Sequence, residues 1–454
     1  MHGNTFCYCP DMGKRLATAI AVSMLARTTV HGEPLGADDL ANKNEGGYVT
    51  GLPLAAYSTD LGLGGGARAY YYWNGDRRDP RFATTPYLAR VFLQVFASTR
   101  GVQFHWLDFD LPKLADTPYR LRAQLIYGRN INNNYFGIGS RSLASLGFPG
   151  SPAFSSYSEL ASAEQQVANG TTYAKYHQYD LERPTALESL ERSFLDDKIR
   201  VLGGLGFSRA TIRDFTGKTV DAVGTNGHDT TAVMNRTKLA EDCAAHLIVG
   251  CGGGRDDYLR LGISYDTRDF EPDPNHGVFV DAEVDLSTVA LGSQFDYARG
   301  LISARGYYSP IPERADLVLA GRATIVGQTN GAPFFAMDTL PFTEDPRAGL
   351  GGHRTLRGYR QDRFVGSVMT FANAEVRWTL GHSTAWHQRF GFILVPFVDV
   401  GRVYDSLGEL SLRQWKPSYG GALRVSWNLA TIATIDYGIS PEDTGLYINV
   451  NQIC

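Results

Sequence analysis

From about Tyr48 to the end of the chain, apolar and polar residues alternate in stretch after stretch. Successive side chains of a strand point to opposite faces, so each stretch predicts a strand with one apolar and one polar face. In Leu259 to Arg268, the residues Leu259, Leu261, Ile263 and Tyr265 share one face, and Arg260, Ser264, Asp266 and Arg268 share the other. In Val278 to Leu286, Val278, Val280, Ala282, Val284 and Leu286 oppose Phe279, Asp281, Glu283 and Asp285. Leu317 to Ile325 and Leu423 to Leu429 alternate in the same way. The strictest case sets Asn373, Glu375, Arg377 and Thr379 against Ala374, Val376, Trp378 and Leu380. Sixteen candidate strands of roughly 9 to 20 residues can be counted. Soluble strands usually run about 5 or 6 residues, whereas strands that cross a bilayer need roughly 9 to 11.

The spacing of these strands adds direction. The long connections fall at about 130–171, 214–255 and 328–368, after the fifth, seventh and eleventh strands, all odd. Connections after even strands are shorter, as at Phe194 to Asp196 or Leu429-Ala430. Outer-membrane barrels pair short periplasmic turns with longer outer loops. The pattern therefore predicts an all-β, 16-stranded antiparallel transmembrane β-barrel with long outer loops and both termini in the periplasm. A large soluble β-protein is the competing fold.

Composition agrees with a barrel. Glycine (50) and tyrosine (24) are abundant, aromatics make up 12% and charged residues 20% of the chain. Mean hydropathy is −0.21, and no apolar run reaches the roughly 18 residues of a membrane-spanning helix. A net charge of −4 argues against a nucleic-acid footprint. Lys14-Arg15 followed by the apolar Leu16 to Ala26 reads as an export signal ending near Glu33. The expected organisation is a signal peptide over 1–32, with Met12 as an alternative start, a short periplasmic segment over 33–46 and the barrel over 47–454.

The richest candidate chemistry lies between Gly351 and Leu380. A glycine-rich entry leads to the turn Arg357-Gly358-Tyr359 and then to the strand carrying Glu375. A cation on a loop before a strand with an inward carboxylate suggests a loop folded back into a polar lumen. Glycine allows a positive φ at the loop tip, and arginine offers a planar fork suited to carboxylates and aromatic faces. The alternative is a solvated surface turn. Phe397, Asp399 and Gly401 share a face of the next strand. Asp266, Arg268 and Asp269 lack a histidine base or activated nucleophile nearby, so they predict an ion-pair network at a strand end. Cys243 and Cys251 are close enough to pair in an oxidising compartment; free thiols remain open, as does a metal site with His246, which lacks a fourth ligand. Cys7, Cys9 and Cys454 extend neither pattern. Gly62 and Gly64 to Gly66 echo a dinucleotide loop but lack the helix that motif needs. No catalytic, metal-binding or cofactor-binding set emerges.

Four motifs in order resemble the BamA/TamA (bacterial surface antigen) superfamily of outer-membrane barrels. Leu356-Arg357-Gly358-Tyr359 looks like that family's Val-Arg-Gly-Phe/Tyr loop. Asn134 to Gly139, Tyr265 to Phe270 with Pro274 and Gly277, and Phe397 to Gly401 resemble its motifs after strand five, at a strand end and turn, and on strand thirteen. The resemblance covers about Gly46 to Cys454. It implies that Arg357, Gly358 and Tyr359 dock against Glu375, Phe397 and Asp399 inside the lumen as structural or gating residues, together with a strand-end role for Asp266 and Arg268. It implies a non-enzymatic assembly, insertion or translocation element of the bacterial outer membrane, without cofactors. Its partners would be membrane lipid and either a separate periplasmic partner or outer-membrane protein clients. A passive channel or structural barrel is the alternative.

The family's assembly factors carry POTRA domains before the barrel, and the segment between Glu33 and Tyr48 is too short for one. A flexible segment of about 15 residues spans only about 20 Å, so client capture is expected to depend on a separate partner. The end of the chain, Gln452-Ile453-Cys454, also departs from the aromatic close usual in the family.

Overall fold

The computed structural model describes residues 43–450 except 84, 115–116, 270–272, 313–315, 341–346, 386–387 and 428–430. The expected signal peptide, most of the segment up to residue 46, the alternative start at Met12, and Cys7, Cys9 and Cys454 lie outside the described residues.

Sixteen antiparallel strands close into one barrel, each paired with its neighbours in sequence and the last with the first. They are β1 (Gly47–Ser58), β2 (Gly62–Trp73), β3 (Ala89–Ser98), β4 (Val102–Leu111), β5 (Tyr119–Asn134), β6 (Gln178–Phe194), β7 (Ile199–Arg213) and β8 (Gly253–Asp266). The second half comprises β9 (Gly277–Ser287), β10 (Tyr297–Tyr308), β11 (Leu317–Gln328), β12 (Val368–Ala385), β13 (Gln388–Tyr404), β14 (Lys416–Trp427), β15 (Thr431–Ile439) and β16 (Thr444–Val450). Closure is what lets strands satisfy their backbone in hydrocarbon, with the β1–β16 join its most thinly paired joint among the described residues. No helix is long and apolar enough to cross a membrane among the described residues.

The alternation read from the sequence sets the two faces of the wall. Val376, Trp378, Leu261, Ile263, Val278 and Val284 are exposed on the outside, while Glu375, Arg377, Asp281, Glu283 and Asp285 are buried inside. The long connections follow β5, β7 and β11, over 135–177, 214–252 and 329–367. The even connections are less uniform than expected. The stretch 74–88 after β2 exceeds the outer turns 59–61 and 99–101. It folds inward: Lys43 Nζ donates to the carbonyls of Phe82 and Thr85, each at 2.6 Å, and Tyr87 Oη donates to Asp110 at 2.7 Å. The glycines 62 and 64–66 sit on β2, opposite β1 and β3.

The outer loops pack on one another. Tyr135, Phe334, Phe335 and Leu239 form an apolar cluster with Phe295 and Tyr297 at the outer end. A disulfide joins Cys243 to Cys251 beside it, with the Cα atoms 5.9 Å apart. The loop over 329–367, the sixth on the outer side, turns into the lumen. Its Leu350, Leu356, Tyr359 and Phe364 pack against Leu301, Val326, Met369, Phe371 and Val403 of the wall.

Candidate functional site

Arg357 is fully buried at the tip of the sixth outer loop. Such a cation needs carboxylates around it, and three strands supply them. Its Nε and Nη2 donate to Asp399 on β13 at 2.8 and 2.7 Å, a bidentate pair, and its backbone N–H donates to the same carboxylate at 3.1 Å. Nη1 donates to Glu375 on β12 at 3.0 Å and to Asp436 on β15 at 3.1 Å. The guanidinium lies over the Phe397 ring, 3.3 Å from its centroid. Glu375 also receives two hydrogen bonds from Arg424, at 3.0 and 2.8 Å, and one from Arg377 at 3.2 Å. Three buried cations thus face three buried carboxylates. Asn373 stitches the set to the loop, donating to Asp399 and to the Thr355 carbonyl at 2.7 Å each.

Gly358 has φ +97°, and a Cβ there would come within 2.9 Å of the Ile439 and Ser440 backbone. On the other side of the same contact, a Cβ on Gly438 would come 2.6 Å from the Arg357 carbonyl carbon. The loop tip therefore lies backbone to backbone on the end of β15, a packing open only to glycine on both sides. Tyr359 is buried and meets Phe364 edge to face, with centroids 5.1 Å apart.

A model of the Omp85 superfamily domain matches residues 107–444, from within β4 to the start of β16. The chain belongs to the Omp85 superfamily. A model described as Domain of unknown function (DUF5982) matches residues 31–88. No curated protein sequence matches the chain. Among solved structures, BamA from Haemophilus ducreyi lacking POTRA domains 1–3 is similar at 14% identity and TM-score 0.53, covering 96% of this chain and 78% of that one. CdiB from Escherichia coli is similar at 10% identity and TM-score 0.50, covering 88% of this chain and 62% of CdiB, less than two thirds of its length. At such identities the likeness is one of fold. This Omp85 chain is a bacterial outer-membrane barrel.

The seam of the Omp85 barrel lies beside the same loop. Among the described residues, β1 pairs with β16 at Tyr57–Ile448 and Ser58–Tyr447, whereas β1 and β2 pair along the whole of Gly47–Ser58. The loop tip reaches this seam. The Gly358 N–H donates to Tyr447 Oη at 3.2 Å. Arg360 straddles it: Nη1 donates to the Thr59 carbonyl at 3.0 Å, and Nε lies 2.7 Å from Asp443 Oδ2, a charge contact without hydrogen-bond alignment. The Gln361 N–H donates to Asp60 Oδ2 at 3.1 Å. Burial pushes the Asp60 carboxyl above its usual range, partly offset by Arg360. Arg363 binds Glu442 in the β15–β16 turn at 2.6 and 3.0 Å and the Ala144 carbonyl at 2.8 Å. Between loop and seam lies a cavity of about 250 Å³ lined by Ala56, Ser58, His353, Thr355, Tyr447 and Asn449. Burial holds the His353 imidazole below the usual histidine range, against the pull of Asp436, whose Oδ2 is 3.5 Å from Nε2.

Of the residues singled out from sequence, Arg357, Gly358, Tyr359, Glu375, Phe397 and Asp399 meet in one site. Asp266 and Arg268 do not join it. They form a separate bidentate pair at the periplasmic end of β8, at 2.9 and 2.7 Å, with Arg268 over the Phe279 ring. Asp269 caps the following turn, accepting from the backbone of Asn275 and His276. Sequence reasoning missed Asp436, Arg424, His353, Arg360 and Gly438. Arg424 fell on the polar face of an alternating stretch, but no local signal tells one lumenal charge from another.

Proposed function

We propose that this Omp85 barrel is an assembly, insertion or translocation element that acts through the β1–β16 seam, with the Arg357 loop as the lock. The observation that carries this reading is that, among the described residues, the seam is paired at two positions. Among the described residues, the seam side of β1 from Gly47 to Ala56 has no partner strand. Backbone groups left unpaired in hydrocarbon cost several kcal/mol each, so this edge favours the addition of a client strand. The clients are outer-membrane or exported proteins arriving as unpaired strands, delivered by a separate periplasmic partner. The role of Arg357, Gly358, Tyr359, Glu375, Phe397 and Asp399 is structural and gating. The alternative, a passive channel, is disfavoured by the apolar packing of the loop within the lumen.

A covalent seam lock tests the proposal. Tyr57→Cys with Ile448→Cys should form a disulfide across the seam. Cells relying on that variant should lose the outer-membrane proteins lost on depletion, and a reductant should restore them; the wild type, which keeps Cys243–Cys251, controls for the reductant. Full activity of the locked protein would sink the seam mechanism. Depletion that changes no outer-membrane protein would favour the channel instead.

A further inference from the structure

The membrane-facing wall over β3 to β8 carries a hollow of about 500 Å³ near its outer end. Cross-strand register explains its composition. One row runs Leu93, Leu107, Leu125, Ala186 and Phe207. The row above it, toward the outer loops, contains His105, Tyr127 and Pro184 and continues to Arg209 and Arg255. The β6–β7 ladder is unpaired between Glu182–Thr211 and Thr185–Ser208, where Pro184 supplies no N–H. Small Ala186 lies just below that gap, and together they leave an apolar slot under a cationic rim.

The rim carries more positive than negative charge. Arg209 and Arg255 are directly opposite across β7 and β8, and like charges so placed destabilise a sheet. Arg255 Nε donates to the Gly292 carbonyl at 2.6 Å and lies 3.0 Å from Asp257, which also lines the hollow, leaving its Nη atoms for a ligand. Arg209 is exposed and has no ion pair among the described residues. Higher still, Arg129 and Arg213 are already matched to Asp180 and Glu182. The excess positive charge therefore sits at one level, just above the apolar row.

We propose that this slot is a lipid site: one acyl chain of an anionic phospholipid fills the hollow, and its phosphate bridges Arg209 and Arg255. Native mass spectrometry of the purified protein, titrated with phosphatidylglycerol or phosphatidylcholine of identical chains, reads the site. The wild type should retain the anionic lipid preferentially, and Arg209→Gln should lower that preference by roughly fivefold, the effect of about one arginine at a charged interface. Arg255→Gln should act in the same direction, and Ala186→Trp should reduce retention of both lipids by filling the slot. Equal retention of the two lipids by the wild type, or an unchanged preference in Arg209→Gln, would overturn the proposal. So would displacement of the bound lipid by inorganic phosphate alone, since the chain would then contribute nothing.

Discussion

Arg357 concentrates the energetics of the loop in one side chain. Desolvating a guanidinium is costly, and three carboxylates and an aromatic face offset that cost only while all are in place. Removing one member of a buried ion pair typically costs about 3 to 5 kcal/mol. Arg357→Ala should therefore release the sixth loop and open residues 350–365 to limited proteolysis, with the barrel intact; wild-type resistance would contradict the docked lock. Arg357→Lys should be only a partial rescue, because an ammonium cannot reproduce the bidentate grip on Asp399. Gly358→Val should release the loop without touching any charge, because no Cβ fits above Ile439. His353 adds a pH dependence. Its folded-state pKa is lowered by burial, so the unfolded or released loop binds the proton more readily. The docked state is fully stabilised above the usual histidine range and loses that contribution as pH falls through it toward the lowered folded value. Hydrogen exchange in the loop should accelerate as pH falls below about 6.5, after correction for intrinsic rates, and His353→Gln should flatten that response. Much of this site was legible in sequence. Alternation placed Glu375 and Asp399 on inward faces, and Arg-Gly-Tyr marked a turn with a cation at its tip. Asp436 and Gly438 were not legible, because what selects them is the barrel's closure, which brings β15 under a loop some 80 residues away.

At the level of elements, the seam is the most thinly paired joint among the described residues. If a ladder hydrogen bond contributes about 0.5 to 1.5 kcal/mol net, two seam positions hold on the order of 1 to 3 kcal/mol. The neighbouring β1–β2 ladder is paired at every residue of Gly47–Ser58 and is several times stronger by the same measure. Arg360 then matters out of proportion to its size, since it grips the β1–β2 turn and the β15–β16 turn at once. Arg360→Ala should raise hydrogen exchange in Tyr57, Ser58 and β16 selectively, leaving β1–β2 protection unchanged. Uniform exchange across both ladders in the wild type would contradict the weak seam. Strand number and the three long loops were readable because a two-residue period and a loop-length parity are local properties. The seam was not, since the pairing of the first and last strands depends on where each stops relative to the other. Nor was the inward fold of residues 74–88, whose anchors on Lys43 and Asp110 are set by tertiary contact.

The whole molecule has two unlike inner walls. On β1 to β4 the lumen is rich in aromatics: Tyr48 stacks on Tyr72 at 5.1 Å, Tyr70 and Phe92 are tilted at 4.9 Å, and Phe92 meets Trp106 at 5.0 Å, beside the Arg90–Asp108 and Arg90–Asp110 pairs. On β8 to β15 it is a lattice of ion pairs, from Arg260–Asp285 and Arg299–Asp285 to the Arg357 cluster. The sixth loop docks on the charged wall and leaves the aromatic wall, which ends at the seam, beside whatever enters there. A charged wall that holds the lock and an aromatic-rich wall that borders the opening would let the seam part without disturbing the lock's own partners. This division predicts how the lumen conducts. With the loop docked, Leu356, Tyr359 and Phe364 pack against the inner wall and bring the loop into the lumen, so the wild-type barrel in a planar bilayer should show low and mostly closed conductance. Arg357→Ala should convert it to frequent, larger openings, because the plug leaves while the wall remains. Arg268→Ala, which breaks an ion pair on the same charged wall but away from the loop, should leave conductance near the wild-type level. Equal conductance of wild type and Arg357→Ala would mean that the loop does not gate the lumen. A rise in Arg268→Ala as large as that in Arg357→Ala would mean that the charged wall, rather than the lock it carries, keeps the passage shut.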